Sequence, residues 1–335
     1  MEIKKYTEEL SDGNEYRINY LKGITGMLDR MDAEKVSVRD EFAKEILASP
    51  EKAREKLKNM LGWPLNTEPS PVLGVELIPV TENETETIYR MFIEVFEGVK
   101  FYGILTLKKS DPPLPLVICQ HGGDGASEMI CGFLYSGNYN DLGTRISARG
   151  VHTFCPQLQL WKSDWFGGEN LRNRTDARLR QLGGSVTAFE IYCISRCIDY
   201  FETLPEVDGR FGMAGLSYGG FYTLMTTAVE TRIRVAHAVG FFNSRSTFVS
   251  QDWSFLNASS TFFDAEIGAL VYPRPLWIDI ADEDYIFAPD PALPEAERLK
   301  KYYSSASENL VFRVFHGTHE YPLDDAPLDF FFKNL

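Results

Sequence analysis

The chain has 335 residues, 44% of them hydrophobic and 13% aromatic, so it can build a sizeable buried core. Lysine and arginine total 34 against 48 aspartate and glutamate residues, which gives a formal net charge of −14. This charge disfavours nucleic acids and anionic membranes as partners, because their phosphates would be repelled. It places no restriction on a small neutral substrate.

The N-terminal residues and the cysteines bear on location. Two lysines near the N-terminus are not followed by an apolar stretch, so no signal peptide is expected, and no apolar run is long enough to cross a membrane. Five irregularly spaced cysteines fit a reduced, cytoplasmic protein better than a disulfide framework. Cys193 and Cys197 lack a second pair of ligands, so we expect buried thiols and no metal.

Residues 1–68 are rich in charged helix formers and are predicted to be a helical extension. Ser49 and Pro50 indicate the start of a helix that runs to Leu61 and stops at Gly62. Residues 69–335 have a different character and are assigned to a second unit, and the two parts together are expected to form one structural body.

The second unit is predicted to begin with strands and then to alternate strands with helices. The predicted strands are residues 72–80, 87–96, 99–107, 116–119, 151–155, 211–214, 233–242, 276–281 and 310–315. The second and third form a hairpin around Glu97 and Gly98. The later, nearly continuous apolar runs are typical of parallel strands buried on both faces. A helix over 187–204, with a capping box at Thr187 and Glu190, is predicted before the sixth strand.

The run Gly215-Leu216-Ser217-Tyr218-Gly219 combines a motif with the context that the motif requires. A turn at Asp208-Gly209-Arg210 and an apolar strand precede it, and a predicted helix over 221–229 follows. A strand that turns into a helix through G-x-S-x-G is a nucleophile elbow, which holds the serine at the tip of a strained turn. Ser217 is therefore the candidate nucleophile.

A serine nucleophile needs a general base. Three histidines follow Ser217 in the chain: His237, His316 and His319. His237 lies within a predicted strand and is interpreted as a core residue. His316 still abuts the last strand, whereas His319 lies beyond the turn at Gly317. We expect His319 to be the base.

The base needs an acid to orient it, and ligands of α/β sheets bind at the carboxyl ends of the strands. Asp284 follows the predicted strand 276–281 and is the expected acid, with Asp282 as the alternative. Asp279 is disfavoured because it lies within the strand.

Two backbone N–H groups are needed to stabilise the oxyanion. One is expected from Tyr218, the residue after the nucleophile. The other is expected from the glycine-rich loop 121–125, where Gly123 is favoured and Gly122 is the alternative. His121 is interpreted as a residue that makes local hydrogen bonds.

Aromatic side chains follow the fifth predicted strand. Trp161 and Trp165 are candidate substrate-binding residues, because sugar and acyl groups pack on aromatic faces. Covering the core is the equal alternative. Arg172 and Arg174 are expected in a solvated loop rather than on a substrate carboxylate.

Three segments carry a resemblance to a known family. Residues 208–220 resemble the elbow region of dienelactone hydrolase-like and acetyl xylan esterase-like α/β-hydrolases, Tyr272-Pro273-Arg274-Pro275-Leu276 is similar to the segment before their acid strand, and His319-Glu320 resembles their histidine region. The resemblance covers about residues 72 to 335, and Ala281 stands where that group usually has glycine. It implies an α/β-hydrolase fold and a carboxylic ester hydrolase without a cofactor.

These observations lead to three functional hypotheses. The first is a serine hydrolase that cleaves a small carboxylic ester, an acetylated sugar among the candidates, through an acyl-enzyme. The second is a peptidase acting on aminoacyl amides, because Ser217-Tyr218-Gly219-Gly220 is also similar to the prolyl oligopeptidase family, although its propeller domain is missing. The third is a non-catalytic binding protein of the same fold. A homo-oligomer is compatible with the sequence, and residues 243–268 are expected to form a lid, a dimer contact or both.

Overall fold

The computed structural model describes residues 7–335, so the first six residues of the predicted extension lie outside the described part. The charge-rich segment forms two helices, α1 (Asn14–Ala48) and α2 (Pro50–Leu61). As predicted, α2 begins at Pro50 and ends before Gly62, whose φ of 87° suits a residue without Cβ.

The described residues contain one nine-stranded sheet, and its strands follow the predicted apolar runs closely. The strands are β1 (Gly74–Glu82), β2 (Glu86–Phe96), β3 (Val99–Lys108), β4 (Leu114–Gln120), β5 (His152–Pro156), β6 (Val207–Leu216), β7 (Ile233–Val239), β8 (Leu276–Ala281) and β9 (Leu310–Phe315). Their spatial order is β1-β2-β3-β5-β4-β6-β7-β8-β9. The pairs β1-β2, β2-β3 and β3-β5 are antiparallel. The pairs β5-β4, β4-β6, β6-β7, β7-β8 and β8-β9 are parallel. The predicted antiparallel start and parallel remainder are confirmed.

Helices cover both faces of this sheet. They are α3 (Ser127–Ile130), α4 (Leu142–Ser147), α5 (Ser163–Phe166), α6 (Arg172–Gln181), α7 (Val186–Phe201), α8 (Tyr218–Val229), α9 (Asp264–Ala269), α10 (Pro289–Tyr302) and α11 (Ala326–Asn334). The buried apolar side chains form two clusters, one on each face of the sheet. Burial on both faces explains why the parallel strands read as continuous apolar runs. No described helix combines the length and apolarity needed to span a bilayer.

The capping box predicted at Thr187 and Glu190 is wrong. Helix α7 begins one residue earlier, and Ser185 is its cap: the hydroxyl oxygen accepts the N–H of Ala188 at 3.1 Å. The Glu190 carboxylate instead accepts hydrogen bonds from Arg172. The carboxylate therefore binds a buried arginine instead of the backbone at the start of its helix. The spacing of residues in the sequence does not indicate this contact.

Two predicted boundaries of the central strands are also corrected. The turn expected at Asp208-Gly209-Arg210 lies inside β6, where Gly209 has a φ of 80° and the Asp208 carboxylate accepts the N–H of Arg210 at 2.9 Å. Strand β7 ends at Val239 rather than at residue 242, because Gly240 turns the chain away with a φ of 61°.

The N-terminal helices pack on the sheet unit. Arg54 of α2 donates to the carbonyl oxygens of Ala228 and Leu270, and Leu57 and Leu61 are fully buried. Near the end of α1, Ile46 is also fully buried. The division of the chain into domains at residues 68 and 69 stays a prediction.

Candidate active site

Ser217 lies at the turn between β6 and α8, in a backbone conformation that residues with side chains rarely adopt. Its φ is 63° and its ψ is −124°. A Cβ on Gly215 would lie 2.5 Å from the carbonyl oxygen of Gly219, and a Cβ on Gly219 would lie 2.1 Å from that of Gln120. The two glycines therefore permit a turn tight enough to hold the serine at the carboxyl edge of the sheet.

His319 is held by Asp284 on the loops that follow β9 and β8. Its Nδ1 lies 2.7 Å from Asp284 Oδ2, and both residues are buried. The other carboxylate oxygen, Oδ1, accepts the N–H groups of Ile286 at 2.8 Å and Phe287 at 2.9 Å. The Phe287 ring stacks on the imidazole at 5.7 Å between centroids. With Nδ1 turned to the acid, Nε2 is left to accept a proton.

The same pocket wall carries both Ser217 and His319. Within the described part of the chain, no hydrogen bond joins Ser217 Oγ to His319. Serine–histidine contacts of this kind are often long without substrate and tighten when it binds. The structure thus places Ser217 and His319 on one pocket, with Asp284 hydrogen-bonded to His319. Their roles as nucleophile, base and acid stay predictions.

The alternative pair, His316 and Asp282, lies on the surface. The imidazole Nδ1 is 3.2 Å from Asp282 Oδ2, and this hydrogen bond raises the pKa of His316. The N–H of Gly317 and the His316 imidazole lower the pKa of Asp282. Neither side chain lines the pocket that contains Ser217.

His237 is a core residue, as predicted. It is fully buried, with the Tyr321 hydroxyl 2.6 Å from Nδ1 and Asp279 Oδ2 3.0 Å from Nε2. Asp279 also accepts hydrogen bonds from Trp277 and Arg313, which together with His237 lower its pKa despite burial. Both residues belong to an internal network rather than to the pocket.

The glycine-rich loop after β4 touches the elbow. A Cβ on Gly122 would lie 2.9 Å from Ser217 Cβ, and a Cβ on Gly123 would lie 3.5 Å from the Tyr218 ring. The N–H of Gly122 donates to the Tyr139 hydroxyl at 2.9 Å, whereas no partner for the N–H of Gly123 occurs among the described residues. The expectation that Gly123 rather than Gly122 donates to the oxyanion stays a prediction, and the engagement of the Gly122 N–H agrees with it.

The other expected donor and the neighbouring histidine also have defined surroundings. Tyr218 is the first residue of α8, so its N–H lies at the positive end of the helix dipole. His121 Nδ1 lies 2.8 Å from the carbonyl oxygen of Gly122, and Nε2 accepts the N–H of Leu158 at 3.0 Å. Burial lowers the pKa of His121 to about 4, so a neutral imidazole makes these local contacts, as predicted.

The pocket has a volume of about 680 Å³ and aromatic walls. The aromatic residues that line it are Tyr135, Tyr139, Trp165, Tyr218, Phe248, Trp253, Tyr285 and Phe287. Trp165 is 57% exposed at its rim. Trp161 is not among the lining residues, and its Nε1 donates to the carbonyl oxygen of Gly168 at 3.2 Å. Among the described residues that line the pocket, Asp124 and His319 are the only ones of the types Asp, Glu, Lys, Arg and His.

Several lining residues were not identified from the sequence. Phe248 and Trp253 come from the 243–268 segment, whose aromatic content was the available signal, although its role was left open. Asn138 and Tyr139 come from a segment without a motif. The Asn138 amide donates to the carbonyl oxygen of His319 at 2.8 Å, so this segment contacts both the histidine loop and the glycine-rich loop.

The prediction of a solvated loop is wrong for Arg172. Its guanidinium is buried, lies 2.9 Å from Glu190 Oε2 and donates to the Tyr222 hydroxyl at 2.7 Å. It also lies 5.4 Å from the centre of the Tyr218 ring. Arg172 thus contacts the first turns of α8. Arg174 is solvent-exposed, as predicted, but it lies on α6 rather than in a loop.

Comparison with solved structures identifies the fold. An inferred acetyl xylan esterase from Bacteroides fragilis has a TM-score of 0.66 at 14% identity, with 83% of this chain and 77% of that chain covered. A glucuronoyl esterase from Solibacter usitatus has a TM-score of 0.62 at 13% identity, covering 86% and 92%. Acetyl xylan esterase 1 from a Thermoanaerobacterium species has 0.57 at 15% identity, covering 84% and 92%. The chain has the α/β-hydrolase fold.

Similarity of sequence adds nothing to this likeness of fold. No family model and no curated protein matches the chain. The part of the chain that the structure describes also contains no group of three or more side chains suited to hold a metal ion. The function therefore has to be argued from the site.

Proposed function

We propose that the protein is a serine esterase that hydrolyses a small, neutral carboxylic ester. The observation that carries this proposal is the pocket itself. Ser217, in a strained backbone conformation at the tip of the elbow, lines this pocket together with His319. The Nδ1 atom of His319 is hydrogen-bonded to the buried carboxylate of Asp284. A nucleophile, a base and an acid that orients the base are the groups that acyl transfer requires.

The proposed reaction proceeds through an acyl-enzyme. Ser217 Oγ attacks the acyl carbon while His319 Nε2 takes the hydroxyl proton, and Asp284 stabilises the imidazolium. The N–H groups of Gly123 and Tyr218 stabilise the oxyanion. His319 then gives the proton to the leaving alcohol. In the second half, water attacks the acyl group, His319 takes its proton, and the proton returns to Ser217 as the acid leaves.

The residues that line the pocket favour a neutral substrate, and an acetylated sugar is among the candidates. Asp124 adds a negative charge at the pocket, and none of the lysines and arginines among residues 7–335 lines it, so a carboxylate on the substrate would find no partner among the described residues. Aromatic faces such as Trp165 and Trp253 suit sugar rings. Acetyl xylan esterase 1 is named for an acetylated sugar polymer, which agrees with this choice.

The proposal is tested by covalent labelling and turnover of Ser217→Ala. The wild type should bind one fluorophosphonate per chain and hydrolyse p-nitrophenyl acetate. Ser217→Ala should lose the label and about 10⁴-fold or more in kcat, because removing a triad nucleophile leaves only binding and oxyanion stabilisation. Ser305→Ala, at an exposed serine after α10, is the matched control and should keep both.

The same panel separates the alternatives. Acetylated sugars, aryl esters and aminoacyl amides should be offered at equal concentration. Amides cleaved as fast as esters would favour the peptidase reading. A wild type that takes no label and turns over nothing would favour the non-catalytic binding protein and contradict the proposal.

The cytoplasm remains the proposed location. All five cysteines are free, which suits a reducing compartment. Recovery of the native protein from a secreted fraction would contradict this.

A further inference from the structure

The N-terminal half of α1 presents apolar side chains to solvent. Tyr20, Ile24, Met27 and Met31 recur at steps of four, three and four residues, so they share one side of the helix, and we call them the α1 stripe. Tyr20 is 74% exposed, Met27 45% and Met31 48%, and Ile24 is partly buried. Leu21 and Leu28 flank the stripe and are 64% and 51% exposed. An apolar patch of this extent on a charged helix indicates an interface.

The exposure of the stripe contrasts with the other end of the same helix. The spacing of three and four residues continues from Met31 through Lys35 to Arg39, Phe42 and Ile46, and the last three are buried against the body of the protein. The apolar side of α1 is therefore covered at its C-terminal end by the protein itself. In the N-terminal half of α1 the apolar spacing continues, but the described residues cover this side of the helix less completely.

The charges at the two ends of the stripe indicate what covers it. Arg17 lies three residues before Tyr20, and Glu34 lies three residues after Met31, so both extend the stripe with opposite charges. A second α1 aligned in parallel would place Arg17 against Arg17 and Glu34 against Glu34. An antiparallel α1 places each arginine against a glutamate, and opposite charges select that orientation.

We propose that two copies of this chain associate through antiparallel pairing of their α1 helices. A two-fold axis passes between residues 25 and 26. Tyr20 then faces Met31 of the second copy, Ile24 faces Met27, and Arg17 faces Glu34, each contact occurring twice as an isologous interface requires. In the same alignment Leu21 lies beside Leu28, so the flanking leucines are covered as well.

The paired segment fits within the exposed half of α1. Residues 17–34 span about 27 Å at a rise of about 1.5 Å per residue. Each helix enters its own body from Arg39 onward, so the two bodies lie at opposite ends of the paired segment. The interface thus uses the half of α1 that its own body leaves exposed.

The experiment is sedimentation velocity of the full chain over a concentration series, with charge reversals. The wild type should sediment as a dimer that dissociates on dilution. Arg17→Glu and Glu34→Arg should each weaken the dimer about tenfold or more, because like charges then meet twice across the axis. The double variant Arg17→Glu/Glu34→Arg should restore it. Lys22→Glu, an exposed lysine on the opposite side of α1, is the matched control and should leave the dimer unchanged.

The following results would overturn the proposal. A chain that stays monomeric at about 100 µM, or a dimer that neither single reversal weakens, excludes this pairing. Binding of the monomer to vesicles of anionic lipid, lost in Met27→Glu, would assign the stripe to a membrane instead. Since residues 17 and 34 do not line the pocket, all variants should hydrolyse ester as the wild type does, so failure here leaves the proposed reaction standing.

Discussion

At the scale of single residues, the site depends on backbone that only certain side chains allow. Ser217 has a positive φ, which costs a residue with a Cβ about 1–3 kcal/mol. Gly215 and Gly219 permit the turn because a Cβ at either position would meet backbone atoms closer than 3.0 Å. The strain is therefore concentrated at the residue whose hydroxyl must project from the turn.

Two histidine–aspartate pairs allow a matched test at this scale. His319→Ala should lower kcat for p-nitrophenyl acetate by about 10³-fold or more, because the serine loses its base. His316→Ala should leave kcat within about twofold, since this imidazole pairs with Asp282 on the surface and does not line the pocket. Equal losses in the two variants, measured by steady-state kinetics, would refute the assignment of the base.

At the scale of elements, the turn at residues 137–140 joins the two loops of the site. The Tyr139 hydroxyl accepts the N–H of Gly122, the Asn138 amide donates to the carbonyl oxygen of His319, and the N–H of Tyr321 donates to the carbonyl oxygen of Asn138. The glycine-rich loop and the histidine loop are thereby held by one segment. We expect changes in this turn to act on catalysis without touching the reacting atoms.

Tyr139→Phe tests that expectation. The variant leaves the buried N–H of Gly122 without its acceptor, so the loop that carries Gly123 should loosen. An unsatisfied buried donor costs about 1–3 kcal/mol, and we expect about a tenfold loss in kcat with little change in KM.

The control for Tyr139→Phe is Tyr303→Phe. That buried hydroxyl donates to the carbonyl oxygen of Arg274 at 2.9 Å, away from the pocket. Its loss should lower the melting temperature but leave kcat unchanged. A kcat for Tyr139→Phe as high as that of Tyr303→Phe would show that the turn does not position the site.

Elements with a strong local signal could be predicted, and elements held by distant contacts could not. Strands β8 and β9 have the predicted bounds, because their apolar runs end at turn residues. The predicted capping box of α7 is wrong because Glu190 binds Arg172, eighteen residues away in sequence, rather than its own helix end. The same holds for the site. Ser217 belongs to a motif, whereas Tyr139 acts through a hydroxyl whose partner no local pattern reveals.

At the scale of the whole molecule, three helices meet around a buried carboxyl group. Glu295 of α10 is 5% exposed, and its Oε2 has no partner among the described residues. Burial, with the carboxylates of Glu266 and Asp264 on α9, raises its pKa to about 7. Arg298 on α10 and Arg39 on α1 act in the opposite direction but do not cancel it.

This raised pKa makes stability depend on pH in a definite direction. The folded state holds the Glu295 proton more tightly than the unfolded state, whose glutamate has its ordinary pKa of 4.5. The free energy of unfolding therefore falls as pH rises from about 4.5 to about 7, by about 3 kcal/mol at most. Below that window the carboxyl is protonated in both states, and above it the whole penalty is present.

Glu295→Gln removes the group that must ionise and keeps its shape. We expect its melting temperature to exceed that of the wild type by about 2–5 °C at pH 8 and to match it near pH 5. Glu297→Gln is the matched control, because that exposed carboxylate on the same helix pairs with Lys300 and should show no such trend. Scanning calorimetry of the three proteins between pH 5 and pH 8 measures the difference. If the difference in melting temperature between the wild type and Glu295→Gln stays constant over this range, Glu295 does not titrate there. Any pH dependence of the packing of α1, α9 and α10 would then come from other groups.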